Sequence, residues 1–273
     1  MMRCRPSLAS PNAASWRLIP LLNAPGRVQM AIDRWLFEQH CSGLHPSTLR
    51  FYTWEPIALS LGYHQRQVPE AWQHITWQGN RVDLVRRPSG GRAVLHQGDL
   101  TYAVVTSAMP SRRVEAYQQI CEFLIAGWRS LGVSLSYGSP RRGYIHNPNC
   151  FGTATGADLV MPDGNKLIGS AQLRQGDAVL QHGSMRLCPD LDLFEQVFGV
   201  SGEILGEILG EIPGESVPSR SPFAAIPGLT IPTVIEALTA AACECFDIRL
   251  AVQPLSQLEW AAVRAKLEPL PQH

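Results

Sequence analysis

Seven cysteines are scattered over the 273 residues, at positions 4, 41, 121, 150, 188, 243 and 245, and Cys150 stands apart from the rest. It sits in the loop His146-Asn-Pro-Asn-Cys150-Phe151 rather than on an apolar periodic face, whereas Cys121 falls on a helical stripe. A thiol attacks as its thiolate, and loop cysteines near cations are where thiolates are stabilised. Taken alone, an incidental loop thiol is the commoner reading. A cation is available sixteen residues on, because Lys166 opens the apolar, small-residue stretch Lys166-Leu-Ile-Gly-Ser-Ala-Gln172. A lysine there either guards a sheet edge or projects into a cleft and polarises a carbonyl. It is seldom a packing residue, so its replacement is expected to leave folding little changed. A hairpin turning at Asp163-Gly164 brings the loop that carries Cys150 towards Lys166.

Two further segments resist a packing explanation. In Arg86-Arg87-Pro-Ser89-Gly90-Gly91-Arg92-Ala-Val-Leu-His96 the paired glycines let backbone approach a ligand, and the arginines are able to hold an anion. A tight turn with surface arginines accounts for the same letters. In Leu180-Gln-His182-Gly-Ser184 a histidine interrupts a strand, a position at which histidine is most often structural.

The bulk composition narrows the classes. Lys plus Arg equals Asp plus Glu at 23 each, so no net charge attracts nucleic acid or an acidic membrane surface. At 45% hydrophobic and 17% charged the composition is that of a soluble globular protein, and no stretch approaches the roughly 18 apolar residues of a membrane span. The odd cysteine count, without paired metal-finger spacing, reads as reduced thiols in a cytoplasmic protein.

The elements that must position these residues are mostly strands. Strand patterns occur at 15–22, 48–54, 57–63, 84–87, 92–96 and 100–105, then as a meander over 157–187 with turns at 163–164 and 175–177. Val28, Ile32, Trp35 and Leu36 mark a first helix ended by Gly43. Val114, Tyr117, Cys121, Leu124, Trp128 and Leu131 mark a second, which Ser111 is placed to cap. One C-terminal helix opens near Pro232, and another begins with the capping box Ser256-Gln-Leu-Glu259. The pattern predicts an α+β fold with a mostly antiparallel mixed sheet flanked by helices. Residues 1–14 read as a disordered leader and 15–198 as the catalytic domain. The Gly/Glu/Ile repeat within 199–222 reads as an exposed insertion, and 223–273 as helices packed on the same domain.

In this order, RRPSGGRAVLH, LTYAVV, KLIGSAQ and LQHGS, with VQMAIDRWL and LRFYTWEPIALSLGYHQ upstream, resemble the lipoate-protein ligase, octanoyltransferase and biotin-protein ligase superfamily over roughly 15–190. Cys150-Phe151 followed by a small-residue stretch is similar to the cysteine-dependent octanoyltransferases of the Gram-positive type. Arg92 stands where ATP-dependent ligases more often carry a third glycine. The departures are Gly152-Thr-Ala-Thr155 and the repeat at 202–215.

The resemblance implies Cys150 as nucleophile and Lys166 as the group that polarises the carbonyl. It implies substrate contacts from Arg87, Ser89, Gly90, Gly91, Arg92, His96, Gly169, Ser170, Ala171 and His182, with His96 and His182 as alternative general bases. It implies octanoyl-acyl carrier protein as donor, a lipoyl domain or glycine-cleavage carrier protein as acceptor, and no metal or other cofactor. The alternative within the superfamily is a lipoate or octanoate ligase that consumes ATP and magnesium through an acyl-adenylate. Biotin attachment, and a non-catalytic binder of acylated domains, are the remaining readings.

Overall fold

The computed structural model describes residues 13–138, 158–199 and 228–267. The leader, apart from Ala13 and Ala14, and the repeat insertion, apart from Gly199, lie outside them, as do Cys150, His146 and Gly152–Thr155. No helix of the described residues is long and apolar enough to cross a membrane.

The chain opens with β1 (Ala14–Ala24), α1 (Gly26–Cys41), β2 (Thr48–Trp54) and β3 (Ala58–Leu61). Short pairs follow as β4 (Thr76–Trp77) and β5 (Asn80–Arg81), then β6 (Asp83–Arg86), β7 (Val94–His96) and β8 (Asp99–Thr106). Next come α2 (Arg113–Ser130), β9 (Ser136–Tyr137), β10 (Leu159–Val160), β11 (Lys166–Gln175) and β12 (Ala178–Arg186). The described chain closes with α3 (Leu191–Phe198), α4 (Ile231–Phe246), β13 (Ile248–Val252) and α5 (Gln257–Arg264).

The main sheet has eight strands in the order β13-β1-β2-β8-β12-β11-β10-β9. Two neighbouring pairs are parallel, β13 with β1 and β1 with β2, and the others are antiparallel. The expected α+β fold with a mostly antiparallel sheet is the one observed. Its two faces are set by the strict alternation of side chains along each strand. One face carries Phe51, Leu100, Tyr102, Val104, Val179 and Met185 and packs against α2 and α4. The opposite face carries Tyr52, Ala103, Val105, Ala178 and Leu180 and packs against α1. A second sheet, β6-β3-β7, lies beside it with its own core around Leu59, Leu61, Trp72 and Phe194.

The structure differs from the sequence reading in four places. The strand β13 sits between the two C-terminal helices, although Ile248, Leu250 and Val252 alternate as a strand requires. The helix α3 follows β12 and carries both of its end signals, an Asp190 side chain accepting from the Leu193 amide and Gly199 at φ 64°. Helix α2 starts one residue later than a Ser111 cap would place it, with Arg112 at the cap position and no side-chain bond there. Val114 is 64% exposed, so the apolar stripe of α2 begins at Tyr117.

The C-terminal helix α5 is pinned to β1 by an ion pair. Arg17, 2% exposed, places Nη1 2.6 Å and Nη2 3.0 Å from the two Glu259 carboxylate oxygens. The Ser256–Glu259 capping box is present as read from sequence. Burial alone would raise the Glu259 carboxyl, but hydrogen bonds from Arg17 and Ser256 outweigh it and hold the group at about 2. Replacing Glu259 with Gln removes the charge that neutralises a buried guanidinium and leaves it only neutral acceptors such as the Gln253 and Pro254 carbonyls, an effect on the order of 3 kcal/mol. The depressed carboxyl contributes stability above its ordinary value near 4.5 and loses it as pH falls towards 2. Denaturant titrations should therefore show the Glu259→Gln deficit at pH 7 and its decline between pH 4.5 and 2.

Candidate functional site

Small residues cut a trough across the face of the main sheet that carries α1. Ala171 pairs with His182, His182 with Ala103, and Ala103 with Arg50. One rung along, Gly169 pairs with Ser184, Ser184 with Thr101, and Thr101 with Tyr52. Directly opposed residues share a face, so glycine, alanine, serine and threonine leave room where larger side chains would fill the sheet surface. Met30 of α1, Trp54, Ser60 of β3 and Val94 of β7 roof this floor, and the opening holds about 430 Å³. The lining is mainly apolar with polar groups spaced along it, the build of a slot for an aliphatic chain bearing one reactive end.

Three polar networks hold the walls. The first centres on Asp33 of α1, which is wholly buried. Its Oδ1 accepts from Arg50 Nη1 at 3.0 Å; its Oδ2 accepts from the Tyr52 hydroxyl at 2.9 Å and from His182 Nδ1 at 2.8 Å. His182 Nε2 takes the Ser89 hydroxyl. Helix, sheet and the Ser89-Gly90-Gly91 turn are thus tied through one carboxylate.

The second network centres on Asp99. Its Oδ2 accepts from His96 Nδ1 at 2.8 Å, Ser184 Oγ at 2.6 Å and Thr101 Oγ1 at 3.2 Å. His96 Nε2 lies 2.8 Å from Ser60 Oγ, and its ring stacks on Trp54 at 3.8 Å between centroids. Burial pushes the His96 imidazole below its ordinary value, against the pull of Asp99. His96 is therefore neutral at pH 7.

The third network folds the glycine turn. Arg87 is buried and donates to the carbonyls of Ser60 (2.9 Å), Gly90 (2.9 Å) and Arg92 (2.6 Å). Gly91 has φ 96°, and a Cβ there would stand 2.7 Å from Arg87 Nη2. A Cβ on Gly62 would stand 1.8 Å from the Gly91 carbonyl oxygen, so the two segments meet backbone to backbone.

Lys166 stands beside Gly169, one of the small residues of the trough floor. Its Nζ lies 2.9 Å from Asp158 Oδ1, and a Cβ on Gly169 would meet its side chain at 2.8 Å. Lys166 is 6% exposed, which corrects the expectation that it is no packing residue: the strand start is buried against Asp158. The Gly138 amide donates to the Asp158 carbonyl at 2.8 Å, so the stretch 139–157 leaves and rejoins the fold beside Lys166.

Gly91, His96, Gly169, Ser170, Ala171 and His182 meet around one opening, and Arg87 borders it. Ser89 touches it through His182. Gly90 nevertheless belongs to the turn that Arg87 organises, as does Arg92 through its carbonyl. Cys150 lies outside the described residues. Among the described cysteines, burial pushes Cys121 up to about 12 and raises Cys41, Cys243 and Cys245. These four are set away from the thiolate form.

The sequence reading passed over Asp33, Ser60, Asp99 and Asp158. A signal existed for the first: Gln29 and Asp33 are polar residues one turn apart on the buried stripe of α1, where only partnered polar groups are tolerated.

Residues 25–242 match the lipoyl protein ligase A/B catalytic domain. The chain belongs to that family. It is 38% identical over 199 residues to the octanoyltransferase LipM of Anoxybacillus flavithermus, covering 69% of this chain and 71% of that one. It is also 38% identical over 195 residues to LipM of Bacillus subtilis, covering 67% and 69%. The fold is similar to that of Ta0514, a lipoate protein ligase from T. acidophilum with bound lipoic acid. The TM-score is 0.69 at 25% identity, with 92% of this chain and 94% of that one covered.

The burial of Lys166 separates stability from chemistry. Lys166→Ala leaves the Asp158 carboxylate buried without its cation, an effect of about 3 kcal/mol. If Lys166 also polarises the acyl carbonyl, the same change lowers the rate by about a hundredfold or more. Adding Asp158→Asn should return most of the stability and none of the rate, as read by thermal unfolding and acyl-transfer assays on the same samples. Recovery of activity in the double variant would assign Lys166 to packing.

Proposed function

We propose that this chain is an octanoyltransferase of protein lipoylation that works through a Cys150 thioester. The chain is an acyltransferase, as are the LipM relatives with which it shares 38% identity over about two thirds of its length. The acceptor is a lysine of a lipoyl domain, and the proposed donor is octanoyl-acyl carrier protein. One observation carries the cysteine reading. The stretch that holds Cys150 is anchored at both ends beside Lys166, through the Gly138–Asp158 bond and the Asp158–Lys166 pair. Cys150 stands eight residues before Asp158, a span of under roughly 30 Å fully extended and far less when folded back.

In this reading the acyl chain lies in the trough and its carbonyl is near Lys166. The Cys150 thiolate attacks, and the ammonium stabilises the negative charge that builds on oxygen. The carrier thiolate leaves and takes up a proton. The acceptor amine then attacks the octanoyl-cysteine, and Cys150 leaves as a thiolate. Thioester exchange is close to balance and amide formation is downhill, so we propose that no nucleotide or metal is consumed.

Transfer from octanoyl-acyl carrier protein to a lipoyl-domain lysine should proceed with chelator present and ATP absent. Cys150→Ser should abolish most of it while keeping the fold. Activity that needs free octanoate with ATP and magnesium, and that survives Cys150→Ser, would establish the adenylate-forming ligase instead.

A further inference from the structure

The two histidines at the opening have the same surroundings in outline, each between a carboxylate and a serine, but the partners of the two carboxylates set them apart. Asp33, behind His182, is already neutralised by Arg50 at 3.0 Å. The donors that the structure gives Asp99, behind His96, are the neutral groups His96 Nδ1, Thr101 Oγ1 and Ser184 Oγ. A proton arriving on His96 therefore meets a carboxylate charge that no arginine or lysine among these donors offsets. The outer partners differ too. Both serines are buried, but Ser60, bonded to His96, lines the opening, and Ser89, bonded to His182, lies in the glycine turn behind it.

The directions of the bonds follow from the carboxylate. His96 Nδ1 faces Asp99 and carries the ring proton, so Nε2 is an acceptor and Ser60 donates to it. Arg87 Nη1, 3.2 Å from Ser60 Oγ, donates to one lone pair of that oxygen. A hydroxyl oxygen has a second acceptor site, and Ser60, although buried, is one of the residues that line the opening.

We infer that Ser60, His96 and Asp99 form the proton relay for the second half of the transfer, with Ser60 receiving the proton of the attacking amine. This rests on the thioester reading above. When the acceptor amine adds to the octanoyl-cysteine carbonyl, its nitrogen becomes cationic and passes one proton to Ser60 Oγ. Ser60 passes its own proton to His96 Nε2, and Asp99 stabilises the imidazolium. The carbon–sulfur bond then breaks, giving the amide and the Cys150 thiolate. His96 returns this proton to solvent when the products leave, matching the proton that the departing carrier thiolate takes from solvent, so each turnover consumes one amine and one thioester and returns one thiol and one amide. Ser60 is catalytic in this scheme, and Asp99 is a positioning residue.

The charged or titratable groups facing His96 are Asp99, Arg87 and His182. Burial keeps the ring neutral at pH values below those at which a solvated imidazole would protonate, so the relay accepts a proton across the neutral range and weakens only in acid.

The test separates the two half-reactions by intact-mass spectrometry in single turnover. Wild type, Ser60→Ala and Asp99→Asn are first mixed with octanoyl-acyl carrier protein, then with a lipoyl domain. Both variants should load octanoate to the wild-type stoichiometry and discharge it to lysine about a hundredfold more slowly, the scale of a lost general base. Discharge within threefold of wild type in both variants would overturn the relay, as would equal loss of loading and discharge. Absence of an adduct in the wild type would instead overturn the thioester reading on which the relay stands.

Discussion

The site depends on a buried carboxylate that has to be satisfied from three directions. Asp33 cannot be left unpaired in the interior without a penalty of several kcal/mol. Its donors come from Arg50 and Tyr52 on β2 and from His182 on β12. Meeting all three fixes the height and rotation of α1 above the sheet, and so places Met30 over the trough. It also fixes the tautomer of His182, whose second nitrogen holds Ser89 and with it the start of the Gly90-Gly91 turn. Arg50 is 1% exposed, and it stacks over the Tyr52 ring at 4.1 Å while it pairs with Asp33. Charge, ring and helix position therefore stand or fall together.

Much of this was legible in the letters, and the reason differs by element. The strands that build the floor announce themselves because β2, β8, β11 and β12 are rich in aliphatic and aromatic residues between clear turns. The small residues at Gly169, Ser170, Ala171 and Gly183 are visible as an anomaly in KLIGSAQ and HGS. Their meaning is not visible locally, because the trough exists only through register with Thr101 and Ala103 on a strand some seventy residues away in sequence. The same limit hides the Asp99–His96–Ser60 chain, whose members come from three strands in two sheets. Lys166 shows the opposite failure. Its position at a strand start reads as exposed, yet an acid eight residues earlier in the sequence folds back and buries it. The short strand β13 and helix α3 carried adequate local signals, alternation in one and both caps in the other, and were obscured by the longer helices and strands beside them.

Lys166 and His96 have different electrostatic characters. At Lys166 a cation is held in a buried pair, suited to stabilising an oxyanion in a site of low dielectric. At His96 a neutral imidazole backed by an anion is suited to accepting a proton. That division matches a reaction in two halves, in which negative charge first builds on oxygen and a proton must later leave nitrogen. Covalent capture on sulfur links the halves, and the central claim is that this capture occurs on Cys150 without activation by nucleotide. The direct measurement is peptide mapping of the protein after exposure to octanoyl-acyl carrier protein with no ATP. A single hydroxylamine-labile octanoyl group on the peptide containing Cys150 is the predicted result. An adduct on Cys121, Cys188 or any other residue, or none at all from an active preparation, would contradict it.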